Sequence, residues 1–151
     1  MNAIELLRND HSLVKSLFSK FDRAAKTDHQ AKYDAFVQIR RELQVHSRAE
    51  EQIFYPAVKA TNGEGQRLIA NAVQEHGRID LLLTEISRLK PTDSRFDENV
   101  ETLMENVDHH VEEEEGEIFQ FAEENFSEQQ LGELGQQIER RKHSLDQEMA
   151  A

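Results

Sequence analysis

The chain contains no cysteine, so disulfide bonds, thiolate metal sites and iron–sulfur clusters are excluded. No apolar run approaches the roughly 20 residues that are needed to span a bilayer. The first ten residues also lack the basic and apolar stretches of a secretory signal. Only six glycines and two prolines occur, which is typical of long helices with few breaks. We therefore expect a cytoplasmic protein whose residues 1–151 form a single domain.

Motifs of several enzyme classes are also missing. We find neither a Ser, Cys or Lys nucleophile motif nor a glycine-rich phosphate loop, so hydrolase and nucleotide-dependent activities have little support. The 30 acidic residues outnumber the 18 basic ones and give a formal net charge of −12. This charge opposes binding to nucleic acid or to an anionic membrane surface, and it attracts cations.

Four segments of the chain place apolar residues at spacings of three and four, which is the pattern of the buried face of an α-helix. Each of these stripes contains a histidine where a hydrophobic residue is expected, and two contain a glutamate one turn after the histidine. The stripes are Ile4, Leu7, His11, Val14, Phe18 and Phe21; Phe36, Ile39, Leu43, His46, Glu50, Ile53 and Ala57; Ile69, Ala72, His76, Ile79, Leu83 and Ile86; and Phe96, Val100, Leu103, Val107, His110, Glu114, Ile118 and Phe121.

Turn and breaker residues divide the chain into five predicted helices. The first covers about 2–25, the second ends or kinks at Pro56, the third covers about 63–90 and the fourth about 94–124. A short fifth helix covers about 127–148 and opens with a capping-box pattern, Ser127 with Gln130. Because the loops are short, we predict an all-α fold, an antiparallel up-down-up-down four-helix bundle over residues 2–124 with the C-terminal helix added to it.

Six polar side chains of these stripes are therefore expected to point into one core: His11, His46, Glu50, His76, His110 and Glu114. A buried carboxylate is costly unless something compensates its charge, and a metal ion would compensate it. A single histidine in a core is most simply a hydrogen-bonded residue, but six in-phase ligands on four helices indicate a metal centre. Imidazole and carboxylate ligands suit iron, manganese or zinc. Six ligands fit two ions, each held by two histidines and both sharing the two glutamates.

The chain also repeats this chemistry in the same order. Asp10-His11 corresponds to Glu75-His76, and the His-x-x-x-Glu motif at His46 corresponds to that at His110. We interpret the two halves as helical hairpins related by a pseudo-two-fold axis. Glu51 and Glu115 each follow a predicted ligand, and we expect them to form surface ion pairs.

At these residues the chain resembles the hemerythrin-like, or HHE cation-binding, family. The resemblance rests on Asn9-Asp10-His11, on His46 to Pro56, on Glu75-His76 and on His110 to Glu115. It implies an antiparallel four-helix bundle around a non-haem di-iron centre. It further implies that His11 and His46 bind one iron, that His76 and His110 bind the other, and that Glu50, Glu114 and a solvent-derived oxo or hydroxo group bridge them. Ferritin-like bundles use Glu-x-x-His instead and fit this chain less well.

One departure from the oxygen-carrying hemerythrins bears on function. Those proteins have a further histidine one turn after the third-helix histidine, where this chain has Asp80. The resemblance therefore implies a more open centre that binds or reacts with O2, hydrogen peroxide or nitric oxide. We favour a peroxide- or NO-detoxifying oxidoreductase of the catalase-like kind. The alternative is an oxygen or iron sensor, store or carrier without turnover.

Three points stay open at the level of the sequence. Asp80 is either an additional ligand or a residue beside the site. His109 lies about 100° around the helix from His110, and either flanks the site or replaces His110 as a ligand. The fifth helix is the expected surface for a protein partner or for self-association.

Overall fold

A computed structural model describes residues 1–150, which form helices joined by short turns, with no strand among them. The helices are α1 (Ala3–Arg23), α2 (His29–Ala49), α3 (Tyr55–Lys59), α4 (Gly63–Ser87), α5 (Ser94–Glu113), α6 (Phe119–Asn125) and α7 (Glu128–Ala150). Two π-helical turns, Glu50–Phe54 and Glu114–Ile118, join α2 to α3 and α5 to α6 without a break. The prediction of an all-helical bundle is confirmed.

The helices begin where the sequence supplies capping side chains. Asn2 and Glu5 form a reciprocal capping box at the start of α1. At the start of α7, the Ser127 amide donates to Gln130 Oε1 at 2.8 Å, and the Gln130 amide donates to Ser127 Oγ at 3.1 Å. These bonds satisfy amides that would otherwise have no partner in the first turn, and they confirm the capping box predicted at Ser127.

Two helix boundaries differ from those expected. The second helix, predicted to end or kink at Pro56, continues through Pro56 to Lys59 after the π turn. Pro56 is the second residue of α3, directly after the π turn, so its missing amide falls where the helical hydrogen-bond repeat is already irregular. Helix α4 ends at Ser87, before the expected boundary. Helix α7 covers Glu128–Ala150, in agreement with the predicted range of about 127–148.

The first π turn moves the inward face of the second helix by one position. The α-helical period predicts that Ile53 and Ala57 are buried, but both are partly exposed. Phe54, Tyr55 and Val58 are buried instead. A π turn inserts one residue into the helical repeat, so every later residue is rotated relative to the core.

The hydrophobic core consists of two clusters, and the predicted ligands lie between them along the helices. In α1, Leu7 belongs to the first cluster and Val14 to the second, with His11 between them. In α4, Ala72 and Ile79 flank His76 in the same way. The first cluster is formed by the starts of α1 and α4, the end of α2, and α3, α6 and α7. The second cluster is formed by the later parts of α1 and α4 and by residues of α2 and α5.

Helix α7 packs along α1 and α2, with its apolar face buried. Gly135 makes this approach possible, because a Cβ atom at that position would lie 2.6 Å from the Met1 carbonyl oxygen. The apolar face of this helix is therefore occupied by its own chain. None of the helices in residues 1–150 combines the length and hydropathy that crossing a bilayer requires.

Candidate metal centre

The six predicted ligands meet at one level of the bundle. His11, His46, His76 and His110 come from α1, α2, α4 and α5, and Glu50 and Glu114 open the two π turns. All six side chains are buried, and both glutamates are fully inaccessible to solvent. The inward stripe of each helix brings one histidine to this level, and the His-x-x-x-Glu spacing brings each glutamate beside the histidine one turn before it.

These side chains form two groups that have two members in common. The first group is His11, His46, Glu50 and Glu114, and the second is Glu50, His76, His110 and Glu114. Within each group, one possible ligand atom from every residue lies within 4.8 Å of the others. Both groups are therefore able to hold a metal ion, and both would use the two glutamates.

Short distances join the facing atoms of each group. His11 Nε2 lies 3.0 Å from Glu114 Oε1, and His46 Nε2 lies 3.0 Å from Glu50 Oε1. In the second group, His76 Nε2 lies 3.3 Å from Glu50 Oε1 and 3.1 Å from His110 Nε2. The Nε2 atoms of all four imidazoles thus face the two carboxylates.

Several of these atoms are buried and have no hydrogen-bond partner in the described part of the chain. They include His11 Nε2, His46 Nε2, Glu50 Oε2 and Glu114 Oε1. Buried polar atoms are rarely left unpaired, because each one costs free energy when it is removed from water. Imidazole nitrogen and carboxylate oxygen are ligand atoms for first-row divalent metals, so cations would satisfy these orphaned atoms.

Four further carboxylates lie next to the Nδ1 atoms of the four imidazole rings, on the side away from the two shared glutamates. The Nδ1 atoms of three histidines donate to carboxylate oxygens, and the fourth faces one at a longer distance. The pairs are His11–Glu115 at 2.7 Å, His46–Asp10 at 2.8 Å, His110–Glu75 at 2.7 Å and His76–Glu51 at 3.4 Å. A carboxylate at Nδ1 fixes the tautomer and orientation of a histidine, and therefore leaves Nε2 free to bind a metal.

Sequence reasoning missed these four carboxylates. It assigned Glu51 and Glu115 to surface ion pairs, and Glu115 does lie 3.4 Å from Arg8. Each of the two nevertheless faces a histidine of another helix. The available signal was that an acidic residue is next to a predicted ligand at four places in the chain: Asp10, Glu51, Glu75 and Glu115.

Helix α7 reaches the site through Lys142. Its Nζ atom donates to Asp10 Oδ1, while Asp10 Oδ2 accepts from His46. Burial raises the pKa of Asp10, but the hydrogen bonds and charges of His46 and Lys142 outweigh burial and hold that pKa below its usual value. Asp10 is therefore ionised where it orients the imidazole.

Tyr55 lies among the predicted ligands, although the predicted inward stripe of the second helix, which passes through Ile53 and Ala57, does not include it. Its hydroxyl is 3.3 Å from Glu50 Oε1 and 3.2 Å from His76 Nε2, and it donates a hydrogen bond to Glu114. Burial, reinforced by the charges of Glu114 and Glu50, raises the pKa of Tyr55 well above its usual value. The hydroxyl therefore keeps its proton. The π turn is what rotates Tyr55 inward, and hydrophobic periodicity gave no sign of that turn.

The protonation of the imidazoles balances the buried carboxylates. Burial by itself lowers the pKa of His76, but its contacts with Glu50 and Glu51 outweigh burial and raise that pKa to about 10. Burial likewise raises the pKa of Glu114, but the neighbouring His11 and His110 imidazoles outweigh burial and hold that pKa well below its usual value. In the metal-free protein, protons on His46, His76 and His110, whose pKa values are all raised, thus supply the positive charge that the glutamates need.

A cavity of about 20 Å³ lies against the four histidines. Apart from the histidines and Ser47, its walls are aliphatic: Val14, Leu43, Ile79, Val107 and Val111. Phe119 stacks against the His11 ring, with the ring centroids 5.8 Å apart. A separate surface cleft of about 350 Å³, lined in part by Lys15 and Glu112, also reaches His11.

Asp80 and His109 lie outside the two groups. Asp80 is exposed. His109 has 61% of its side chain exposed, and its Nε2 atom lies 3.1 Å from Glu113 and 3.5 Å from Glu75. Of the two adjacent histidines of α5, His110 is therefore the one that faces the buried glutamates.

The family model described as the hemerythrin HHE cation-binding domain matches residues 2–122. The chain belongs to this family. A crystal structure of a hemerythrin HHE cation-binding domain-containing protein from Mycobacterium kansasii superposes with a TM-score of 0.84 and 25% identity, and the match covers 96% of this chain and 87% of that one. The buried groups of histidine and glutamate able to hold metal agree with the cation binding that the family's description names.

Two curated relatives are similar to most of this chain. A DNA nickase of Nostoc sp. is 29% identical over 149 residues, and a hemerythrin-like protein of Schizosaccharomyces pombe is 28% identical over 137 residues. The matches cover 99% and 90% of this chain. The chain spans only 41% and 63% of the lengths of these relatives.

Proposed function

We propose that this protein holds two iron ions in a non-haem centre that binds or reacts with O2, hydrogen peroxide or nitric oxide. The observation that carries the proposal is the pair of buried four-residue groups that share Glu50 and Glu114. In this proposal, the ligands of one ion are His11, His46, Glu50 and Glu114, and those of the other are His76, His110, Glu50 and Glu114. Manganese or zinc suits the same ligands and could substitute for iron.

The chemistry that we favour is peroxide or nitric oxide detoxification. A pair of iron ions supplies two electrons, so that one peroxide can be reduced to water while a second is oxidised to O2. No protein side chain has to be consumed in that cycle. The absence of a nucleophile motif from the sequence is consistent with a role of this kind.

The size of the cavity beside the four histidines is evidence that the ligand is very small. A cavity holds one water molecule when its volume is at least about 10–15 Å³, and this one measures about 20 Å³. It has room for a diatomic gas or for peroxide, but not for an organic substrate. Its aliphatic walls would exclude bulk water from a ligand bound there.

The chain's own residues would position the ligands and hold a proton. The four outer carboxylates keep the Nε2 atoms of the histidines pointed inward. The Tyr55 hydroxyl keeps a proton within hydrogen-bonding distance of both shared glutamates. It is therefore placed to donate to an anionic ligand when one binds.

We also propose that the four long helical rods form an antiparallel up-down-up-down bundle within one domain, followed by α7. The assignment of residues to the two hydrophobic clusters supports this arrangement. Along the chain, α1 and α4 pass from the first cluster to the second, whereas α2 and α5 pass from the second to the first. Successive rods therefore alternate in direction.

Metal content and peroxide consumption test the proposed function. Protein produced with iron supplied should contain about two iron ions per chain and should consume hydrogen peroxide. His110→Ala removes a ligand of one ion, so it should lower the iron content and abolish peroxide consumption. His143→Ala, at an exposed position of α7, is the matched control and should behave as wild type. One iron ion or none per wild-type chain would contradict the di-iron proposal.

The alternative is an oxygen or iron sensor, store or carrier without turnover. Asp80 stands at the position where oxygen carriers have a further histidine, which is why we favour reactivity over carriage. A long-lived, reversible O2 complex without peroxide consumption would support the alternative. In that case a protein partner or a second copy would have to use the polar outer face of α7, since the apolar face is already buried.

DNA nicking, named for the Nostoc relative, is a further activity to exclude by experiment. The net charge of −12 opposes DNA binding, so we expect this chain by itself to bind no nucleic acid and no anionic membrane. Incubation of the iron-loaded protein with supercoiled plasmid would test this expectation. Conversion of the plasmid to the open-circular form, lost in His110→Ala, would show that the centre acts on DNA.

A further inference from the structure

A third group of metal-binding side chains lies beside the buried centre. His109 and Glu113 of α5 are four residues apart, and Glu75 of α4 faces them. One possible ligand atom from each of the three lies within 4.8 Å of the others. His109 and Glu113 form a third His-x-x-x-Glu motif, offset by one residue from the motif that contains His110. Its side chains therefore point outward, whereas His110 and Glu114 point inward.

The atoms of this group are already oriented toward one point. His109 Nε2 lies 3.1 Å from Glu113 Oε1 and 3.5 Å from Glu75 Oε2. The Asn71 amide donates to Glu113 Oε2 at 3.1 Å, which leaves the other oxygen of Glu113 facing the histidine. Residues i and i+4 share a helix face, so the spacing of His109 and Glu113 suits a common ligand.

Glu75 is the link between this group and the interior. Its side chain is only 7% exposed, and Oε1 accepts a hydrogen bond from the buried His110 at 2.7 Å. The other oxygen, Oε2, points toward the exposed His109. The Glu75 carboxylate therefore contacts His110 of the proposed iron centre with one oxygen, and His109 of the surface group with the other.

We propose that His109, Glu113 and Glu75 form an auxiliary divalent cation site at the protein surface. Imidazole nitrogen and carboxylate oxygen are both ligands of Zn²⁺, and the same kinds of ligand suit Mn²⁺, Fe²⁺ and Co²⁺. Water would complete the coordination, because His109 and Glu113 are open to solvent. A cation would also offset the two neighbouring negative charges in a protein that already carries an excess of acidic residues.

A cation bound at this site would change the environment of His110 in the buried centre. A cation held by Glu75 Oε2 draws negative charge away from Oε1 and weakens the hydrogen bond that orients His110. The site therefore offers a first binding position for an incoming metal ion. It also offers a point at which surface cations alter the basicity of one buried imidazole.

Cobalt binding tests the site without reference to the state of the centre. We would dialyse wild-type protein and His109→Ala against Co²⁺ and count the cobalt bound per chain. The wild type should bind one more cobalt ion than the variant, whatever number the buried groups hold. Because His109 is exposed, the variant is expected to fold, and Glu113→Gln provides a second variant of nearly the same shape.

Matched controls and a site-specific signal complete the design. His143→Ala removes an exposed histidine elsewhere and should bind as much cobalt as the wild type. Added Mn²⁺ should broaden the NMR resonances of His109 more strongly in the wild type than in Glu113→Gln, because manganese in the buried centre would affect His109 equally in both proteins. Equal cobalt counts in wild type and His109→Ala would overturn the proposal, and would leave His109 as a simple ion-pair partner of the two glutamates. The iron content of the buried centre is a separate measurement, so either proposal can fail without the other.

Discussion

The metal-free protein should become less stable as the pH rises above about 6.5, the ordinary pKa of histidine. Glu50 and Glu114 are fully buried, and protons on His46, His76 and His110 compensate their charge when no metal does. The folded pKa of His76 is about 10, above its unfolded value, so the stability linked to this proton is complete below pH 6.5 and is lost as the pH approaches 10. The pKa values of His46 and His110 are raised as well.

The size of the loss follows from the shift of His76. At 1.36 kcal/mol for each tenfold change in proton affinity, a rise from 6.5 to about 10 corresponds to roughly 5 kcal/mol. The histidines share the same two carboxylates, so their contributions overlap and do not simply add. We expect a total loss on the order of 3–5 kcal/mol, a large part of the 5–15 kcal/mol that stabilises a typical domain.

Urea unfolding followed by circular dichroism measures this loss at pH 6.5, 8 and 9.5. One series contains a chelator, and the other contains Zn²⁺, which has no redox chemistry. Metal binding requires neutral imidazoles, so the zinc-bound protein should keep its stability at high pH, where the metal-free protein loses it. Glu50→Gln should reduce the pH dependence by removing one carboxylate, and His143→Ala should leave it unchanged. Constant stability of the metal-free protein from pH 6.5 to 9.5 would refute the reasoning.

Two further predictions concern packing and the link between α7 and the centre. Gly65→Ala should destabilise the protein by about 1–3 kcal/mol in thermal unfolding, because a Cβ atom there would collide with the Val58 carbonyl oxygen. Gly77→Ala, in the same helix but with open space around it, should instead stabilise by about 0.5–1 kcal/mol. Lys142→Met leaves the Asp10 carboxylate without its cationic partner and should weaken metal binding by about 10–100-fold in chelator competition. Lys142→Arg should retain most of the affinity, and equal affinity of Lys142→Met and wild type would contradict the proposed link.

Local periodicity was sufficient to predict the helices and the set of inward-facing polar residues. The hydrogen bonds of an α-helix join residues four apart, so the face on which His11 or His76 lies depends only on nearby sequence. The capping pattern at Ser127 is local in the same sense and was predicted for the same reason. The excess of acidic residues indicated a partner of positive charge, and the two His-x-x-x-Glu motifs indicated where such a partner would be bound.

The same periodicity failed at the first π turn. A π turn forms when helix packing favours one extra residue in a turn. The sequence of Glu50–Phe54 contains no signal that predicts such a turn. The predicted stripe therefore continued to Ile53 and Ala57, whereas the structure buries Phe54 and Tyr55. The rotation matters for the site, because it brings the Tyr55 hydroxyl to the shared glutamates.

By itself, then, the sequence determined the helices, the capping of α7 and the six polar residues that face the core, since each depends on neighbours within one or two turns. The tertiary structure decided how those residues divide into two groups and what supports them. Asp10 contacts His46, which is 36 residues away in the sequence. Glu115 contacts His11 at a separation of 104 residues, and Lys142 contacts Asp10 at a separation of 132 residues. Contacts of this kind depend on how the helices pack against one another, and no periodicity along one helix specifies which residue of another helix will lie opposite.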